Sequence, residues 1–108
     1  MLYLTNNFSL SALDGKKIVQ FQPISRRMAM QMIEDNPDFI AFVKNEDIAN
    51  VFTNELKIAV QRTKQKPFKL KFGDTMIVGQ LLGILPPGSR ELPKGFGLQW
   101  WMVNAANI

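Results

Sequence analysis

Apolar and polar residues along this chain follow two different periods, which predict an alternation of strands and helices. Strands are expected where apolar and polar residues alternate or where a short run is wholly apolar, and helices where apolar residues recur every three to four positions. The predicted strands are residues 2–5, 18–22, 39–43, 68–72, 75–82 and 98–103. Two helices are predicted between them, together with one helical turn at residues 8–13. This order is typical of an α/β fold.

Both predicted helices have recognisable boundaries. Ser25 is a suitable N-cap for the first helix, with Ile24 placed to pack against Ala29, and Asn36-Pro37 ends it. Asn45 caps the second helix, and the two carboxylates that follow it favour a helix N-terminus electrostatically. The predicted inner faces are Met28, Ala29, Met32 and Ile33 in the first helix, and Ile48, Val51, Phe52 and Leu56 in the second.

The strand patterns also predict where each strand lies in the sheet. Residues 39–43 are wholly apolar and suit a buried strand, and residues 75–82 form the continuous apolar run expected of a central strand. A long loop with three prolines and four glycines spans residues 83–97. In the last strand, Trp100 and Trp101 must point to opposite faces. We therefore expect a single domain over residues 1–108, with a mixed sheet of about five strands and helices mainly on one face.

The composition excludes several classes of chemistry, because the 108 residues include no histidine and no cysteine. Zinc sites, Cys-His nucleophiles, Ser-His-Asp triads and redox dithiols all need one of these side chains. Nine carboxylates and one tyrosine, Tyr3, remain for proton transfer. We expect no metal and no cofactor. No window reaches about 18 consecutive apolar residues and no leader precedes the first strand, so the expected location is the cytoplasm, without membrane contact.

The net charge of +4 suggests an anionic partner, although mildly basic small domains are common. Arg62, Lys64 and Lys66 alternate, so in an extended backbone they would form a basic ribbon, and Lys69 and Lys71 continue the alternation beyond Pro67. Such a ribbon is typical either of a nucleic-acid track or of a solvated, lysine-protected sheet edge. The pattern leaves both interpretations open.

Four ordered stretches resemble a known family. Residues 3–13, Tyr-Leu-Thr-Asn-Asn-Phe-Ser-Leu-Ser-Ala-Leu, are similar to the pattern Tyr-Leu-x-Asn-Ala-Phe-Ser-x-x-Met-Leu of a family of small viral and mobile-element proteins. That family includes the type III anti-CRISPR ring nucleases. The other matching stretches are residues 45–49, residues 60–62, and residues 78–80 followed by 91–95 and 99–101. The resemblance covers nearly the whole chain and suggests a bacterial conjugative or phage-like element, with Bacillus as a plausible host.

The resemblance implies a specific activity. Characterised members are homodimers that bind cyclic tetra-adenylate, a second messenger of type III CRISPR defence, across the dimer interface. They cleave it by attack of a ribose 2′-hydroxyl on the adjacent phosphate. A histidine before the second helix protonates the departing oxygen, and an arginine and a glutamate in the late loop complete the site. A homodimer with an RNA-like ligand is therefore expected here.

Carried over residue by residue, the resemblance retains the residues that bind the ligand. Asn6 and Ser9 match loop residues that approach the phosphodiester, Arg62 matches a ligand-facing arginine, and Gln80 matches a pocket glutamine. The histidine position is occupied by Asn45, and an amide cannot donate a proton to a departing alkoxide.

The late loop, like position 45, lacks the residues that the family uses for catalysis. The family's Gly-Pro-Arg-Leu-Pro-Glu-Gly is replaced by the shorter residues 83–88, Gly-Ile-Leu-Pro-Pro-Gly, without the arginine or the glutamate. Arg90 and Glu91 lie a few residues downstream and match no family position. The predicted protein is therefore a binding module with weak or no cleavage activity.

Each retained residue also has an ordinary structural explanation. Asn6 is suited to ending the first strand, Ser9 and Asn45 to capping helices, and Gln80 to pairing with a buried backbone group. The alternative function is a non-enzymatic accessory factor of an integrative element that binds nucleic acid or protein, for which the basic ribbon is the motivation.

Overall fold

The computed structural model of the chain describes residues 1–7, 17–63, 70, 71 and 73–107. These residues form five strands and two helices, in the order β-β-α-β-α-β-β. The elements are β1 (Leu2–Thr5), β2 (Lys17–Ile24), α1 (Arg26–Asp35), β3 (Ile40–Phe42), α2 (Glu46–Leu56), β4 (Thr75–Leu82) and β5 (Gly97–Asn107). The expected single compact α/β unit with a five-stranded mixed sheet and two helices is confirmed.

The strands lie in the order β2-β5-β4-β1-β3, with β1 parallel to both β3 and β4. β5 runs antiparallel to both of its neighbours, β2 and β4. The carboxyl ends of β1, β3 and β4 therefore lie side by side along one rim of the sheet, which we call its carboxyl edge. In α/β proteins this edge is the usual place for a ligand, because loops of separate strands converge there.

The two faces of the sheet are packed differently. On one face, Ala29 and Ile33 of α1 and Ala49, Phe52 and Leu56 of α2 form a core cluster with strand residues that include Leu4, Ile77 and Trp100. On the opposite face, a second cluster contains Val78, Val103 and neighbouring strand residues, and no residue of either helix. The predicted placement of helices on one face is thus confirmed for the described residues. We refer to the two sides as the helix face and the open face.

Both predicted helix caps are confirmed. The Ser25 hydroxyl accepts a hydrogen bond from the Met28 N–H at 3.0 Å, and Asn36 ends α1. The Asn45 side chain accepts one from the Ile48 N–H at 3.1 Å. α2 ends at Lys57, whose N–H donates to the Thr53 carbonyl and whose left-handed backbone (φ 57°) turns the chain away from the helix. Neither helix has the length and apolarity that crossing a bilayer requires.

Three predictions need correction. Residues 39–43 are not a buried strand: β3 has three residues at the edge of the sheet, and Ile40 is 36% exposed. β2 continues through Pro23 to Ile24, which is tolerated because β2 is the other edge strand and a proline there removes no ladder bond from a central position. Met28 does not belong to the inner face of α1, since it is 43% exposed.

Other predictions fall wholly or partly outside the described residues. The helical turn at residues 8–13 is one of them, and most of the basic ribbon and of the strand at 68–72 is another. Within that strand, Leu70 is fully buried and Lys71 is exposed, as the alternation predicts.

Candidate functional site

Asn6 is positioned by the residue that ends β1. Thr5 is 1% exposed, and its hydroxyl donates to the Phe42 carbonyl of β3 at 2.8 Å. The same oxygen accepts a hydrogen bond from the Asn7 N–H at 3.3 Å. Thr5 therefore joins two neighbouring parallel strands and turns the chain at their carboxyl edge. This turn places Asn6 beside the ends of both β1 and β4.

Asn45 reaches the same edge because it follows β3 and begins α2. Its side-chain oxygen caps the helix, so the amide NH₂ group is the donor that it presents to a ligand. The structural explanation of Asn45 as an N-cap is therefore correct, and it is compatible with a binding role. A cap interaction also fixes the side chain, which lowers the entropy cost of a further hydrogen bond.

Gln80 comes from β4, near the carboxyl end of that strand. Its side-chain oxygen accepts a hydrogen bond from the indole N–H of Trp101 at 3.1 Å. In the β4–β5 ladder Trp101 pairs with Val78, so the indole reaches Gln80 across the open face. Because the indole can only donate, this contact sets the orientation of the amide and leaves its NH₂ group as the outward donor.

These three residues line one cleft of about 320 Å³, which we call the polar cleft. Asn6, Asn45 and Gln80 are separated by long stretches of sequence, and the topology brings them together at the edge that β1 and β4 share. The full lining is Asn6, Asn45, Asp47, Ile48, Gly79, Gln80, Leu81, Gly83, Ile84 and Leu85.

The wall formed by the late loop is held by Asp47. The carboxylate of Asp47, in the first turn of α2, accepts a hydrogen bond from the Gly88 N–H at 3.1 Å. Gly88 has a φ of 81°, a conformation that glycine adopts without strain. The loop is further closed by hydrogen bonds from the Ser89 N–H and hydroxyl to the Pro86 carbonyl, at 3.2 and 2.6 Å. Asp47 thus positions the loop at the cost of placing a carboxylate in the cleft.

The described lining of the polar cleft contains no cation. Arg62 lines a different groove, beside Ile40 and Thr63 at the outer edge of β3. Thr63 holds this segment on β3, since its hydroxyl donates to the Ala41 carbonyl at 2.7 Å and accepts from the Val43 N–H at 3.0 Å. One chain therefore does not bring Arg62 together with Asn6, Asn45 and Gln80.

The remaining sequence candidates have separate positions. Ser9 lies outside the described residues. Arg90 lines a shallow groove with Glu46 and Asn54 along α2, away from the polar cleft. Glu91 is exposed. Arg90 therefore does not take the place of the missing late-loop arginine in this arrangement.

Two residues of the site were missed by sequence reasoning. The sequence pattern predicts only a helix N-terminus for Asp47, and for Trp101 only that it points to the face opposite Trp100. The sequence carries no signal for the contact of Asp47 with a loop 41 residues away. The alternation along β5 places Trp101 opposite Trp100, but the partner of its indole depends on strand order.

Proton-transfer groups are scarce around the cleft. Among the described residues, no group of three or more acidic side chains could hold a metal ion. Burial, and to a smaller extent the nearby Asp74 carboxylate, raise the pKa of Tyr3. Tyr3 lies on the open face with Met76, and it lines neither the polar cleft nor the cavity next to that cleft. The described lining of the cleft can therefore offer hydrogen bonds to a ligand, and it includes no histidine, cysteine, lysine or tyrosine that could act as a general acid near neutral pH.

Comparison with known proteins identifies a family and a solved structure that share this fold. A family model described as STIV B116-like matches residues 2–93. The chain belongs to the STIV B116-like family. Among solved structures, B116 of Sulfolobus turreted icosahedral virus superimposes with a TM-score of 0.80, covering 95% of this chain and 97% of that chain at 15% sequence identity. No curated protein matches significantly.

The B116-like assignment confirms part of the expected resemblance. The chain belongs to a family of small viral proteins, and its fold extends over nearly the full length of B116. At 15% identity, the structural match establishes the fold alone.

Proposed function

We propose that this B116-like protein binds a cyclic oligoadenylate or a related RNA ligand, with weak or no cleavage activity, and acts as a sequestering or sensing module of a mobile genetic element. One observation carries the proposal. Asn6, Asn45 and Gln80, identified by the family resemblance from distant parts of the sequence, line the same cleft. The position where ring nucleases have their general acid is occupied by an amide.

The cleft favours binding over chemistry for a physical reason. Asn45 and Gln80 each have their oxygen engaged, so both present amide donors to phosphate or base acceptors. Without a proton donor for the departing alkoxide, a rate factor of roughly 10²–10⁴ is lost. In-line positioning of the 2′-hydroxyl still allows slow cleavage.

The proposed active form is a homodimer, because the described part of a single cleft has no positive charge and Arg62 lies elsewhere. Exposed apolar side chains beside the cleft favour self-association: Leu82 is 58% and Ile84 is 92% exposed. Light scattering coupled to size exclusion should give twice the chain mass of 12.3 kDa. Ile84→Lys should shift the protein towards the monomer, and a monomeric wild-type chain would contradict this part of the proposal.

Calorimetric titration with cyclic tetra-adenylate tests the binding proposal directly. We expect saturable binding, weakened in Gln80→Ala and in Arg62→Ala. Absence of binding at ligand concentrations on the order of tens of micromolar would overturn it. Binding of unrelated DNA and RNA with equal affinity and a steep salt dependence would instead support the accessory nucleic-acid-binding alternative.

Single-turnover assays with labelled cyclic tetra-adenylate test the catalytic part. We expect little or no product from the wild-type protein and a higher rate from Asn45→His, which restores an imidazole at the family's acid position. An unchanged rate in Asn45→His, with binding retained, would show that Asn45 does not occupy the catalytic position.

A further inference from the structure

A second cavity, of about 400 Å³, adjoins the polar cleft on the open face of the sheet. We call it the aromatic pocket. It is lined by Asn6, Asn7, Phe21, Val78, Gln80 and Trp101. Asn6 and Gln80 line both cavities, so the two cavities lie side by side and are bordered by the same two side chains. The family motifs assign no role to Phe21 or Trp101.

The lining of the aromatic pocket is suited to a flat, uncharged group. None of its described lining residues is charged. Trp101 is partly buried, and Phe21, on the neighbouring strand and the same face, is 54% exposed. Exposed aromatic rings of this kind stack on nucleobases, a contact worth about 1–3 kcal/mol per base. A phosphate or an ammonium group would find no counter-charge among the described lining residues.

Gln80, which borders both cavities, adds a directional hydrogen-bond donor. Because Trp101 donates to the Gln80 oxygen at 3.1 Å, the Gln80 NH₂ group is oriented away from the indole. A fixed amide donor beside an aromatic surface matches the ring nitrogen acceptors of a base. Trp101 would then act twice, by stacking and by orienting Gln80.

We propose that the aromatic pocket binds a purine base, stacked on Trp101 and hydrogen-bonded by the Gln80 amide, while the attached ribose phosphate extends into the polar cleft. The two fused rings of a purine offer a larger stacking surface to the indole than a pyrimidine ring does. This inference rests on the proposed function. It divides the proposed ligand site into a base subsite in the aromatic pocket and a sugar-phosphate subsite in the polar cleft.

Nuclear magnetic resonance of the full ¹⁵N-labelled chain tests the inference without the cyclic ligand. The two tryptophans give two indole N–H signals, and Trp101→Phe assigns them. Titration with adenosine monophosphate should shift the Trp101 indole and the Gln80 side-chain NH₂ signals. Ribose 5-phosphate, which keeps the sugar and phosphate and lacks the base, should leave both in place. The Trp100 indole, buried on the helix face, is the internal control.

Two variants separate stacking from hydrogen bonding. Gln80→Glu keeps an acceptor for the Trp101 indole and removes the amide donor, so the affinity for adenosine monophosphate should fall about tenfold. Trp101→Phe keeps an aromatic ring and releases the Gln80 amide, which should produce a smaller loss than Trp101→Ala. Backbone signals of each variant report whether it is folded, and the wild-type titration stands if one is not.

The inference is overturned if adenosine monophosphate leaves the Trp101 indole unshifted at millimolar concentration, or if ribose 5-phosphate shifts it equally. A shift that depends on protein concentration alone would also overturn it, by showing that the open face is covered by a second copy. These failures are distinct from failure of the proposed function. If cyclic tetra-adenylate binds without shifting the Trp101 indole signal, only the base subsite is contradicted. If adenosine monophosphate binds but cyclic tetra-adenylate does not, only the proposed function is contradicted.

Discussion

Trp100 and Trp101 are neighbours in sequence with opposite environments. Trp100 is 3% exposed on the helix face, where its ring centroid lies 4.9 Å from that of Phe52. Trp101 is partly buried on the open face, at the wall of a cavity, with its indole N–H on Gln80. The first is held by packing and the second by a hydrogen bond beside a cavity. The helix face therefore carries the main core, whereas the candidate site combines the open face with the carboxyl ends of the strands and the N-terminus of α2.

The largest expected difference is in stability. Trp100→Ala removes a fully buried ring and should lower the free energy of unfolding by about 3–5 kcal/mol. Trp101→Ala should cost less, about 1–2 kcal/mol, because the ring packs on the open-face cluster but is only partly buried and borders a cavity. Urea unfolding followed by circular dichroism measures both. Equal losses would mean that the two faces are packed alike.

A second test concerns how closely the helix face is packed around Gly79. A Cβ at this position would lie 2.4 Å from Phe52 Cζ and 2.7 Å from Trp100 Cζ3. Gly79→Ala should therefore cost about 1–3 kcal/mol, because two rings in a packed core must move. Gly97→Ala is the matched control, since its Cβ would meet only the exposed, flexible side chain of Leu82, at 2.8 Å. We expect that control to be close to neutral, and a tolerated Gly79→Ala would contradict the tight packing.

A third test separates stability from binding at the edge of the sheet. Asn45→Ala and Ser25→Ala each remove an N-cap and should each cost about 1 kcal/mol in urea unfolding. Only Asn45→Ala should also weaken binding of cyclic tetra-adenylate, because Ser25 caps the helix that does not border the polar cleft. If both variants weaken binding equally, the effect of Asn45 is structural.

The smallest expected effect is the pH response of Tyr3 on the open face. Its pKa is raised in the folded protein, mainly by burial, so the folded state retains the phenolic proton more strongly than the unfolded state does. The resulting stability is fully present below the pKa of an unfolded tyrosine, about 10, and is lost as the pH rises through the folded pKa. Absorbance titration of the single tyrosine gives its folded pKa, and Tyr3→Phe should show a weaker loss of stability at alkaline pH than wild type. A folded pKa at or below that of an unfolded tyrosine would contradict this.

The helix boundaries were predictable because their determinants are local. Ser25 and Asn45 bond to backbone N–H groups three residues ahead, and Asn36 ends its helix as the following proline suggests. The apolar spacing of α2 likewise identified Val51, Phe52 and Leu56, all buried. A pattern within a few residues is enough for such features.

The position of each strand in the sheet was less predictable. The apolar run at residues 39–43 suggested a buried strand, and its place at the edge beside β1 follows from the strand order. In the same way, the sequence does not indicate that Pro23 would lie in an edge strand. Which strands become neighbours depends on packing between residues far apart in the chain, which a local pattern does not contain.

The candidate site likewise combines residues that the sequence indicates with contacts that only the fold determines. The family resemblance named Asn6, Asn45 and Gln80, and the topology places all three on one cleft. The same resemblance named Arg62, which the fold places in another groove of the same chain. The contact of Asp47 with Gly88 and the contact of Trp101 with Gln80 depend on loop closure and cross-strand register.

By itself, the sequence determined the chemistry that this protein lacks, because the absence of histidine and cysteine holds in any fold. It also determined the helix caps and the alternation that separates Trp100 from Trp101, since both depend on neighbouring residues. Only the tertiary structure decided that the carboxyl ends of β1 and β4 meet, that three amides share a cleft, and that an aromatic pocket adjoins it. Those features need strand order and register, which arise from long-range packing of the whole chain.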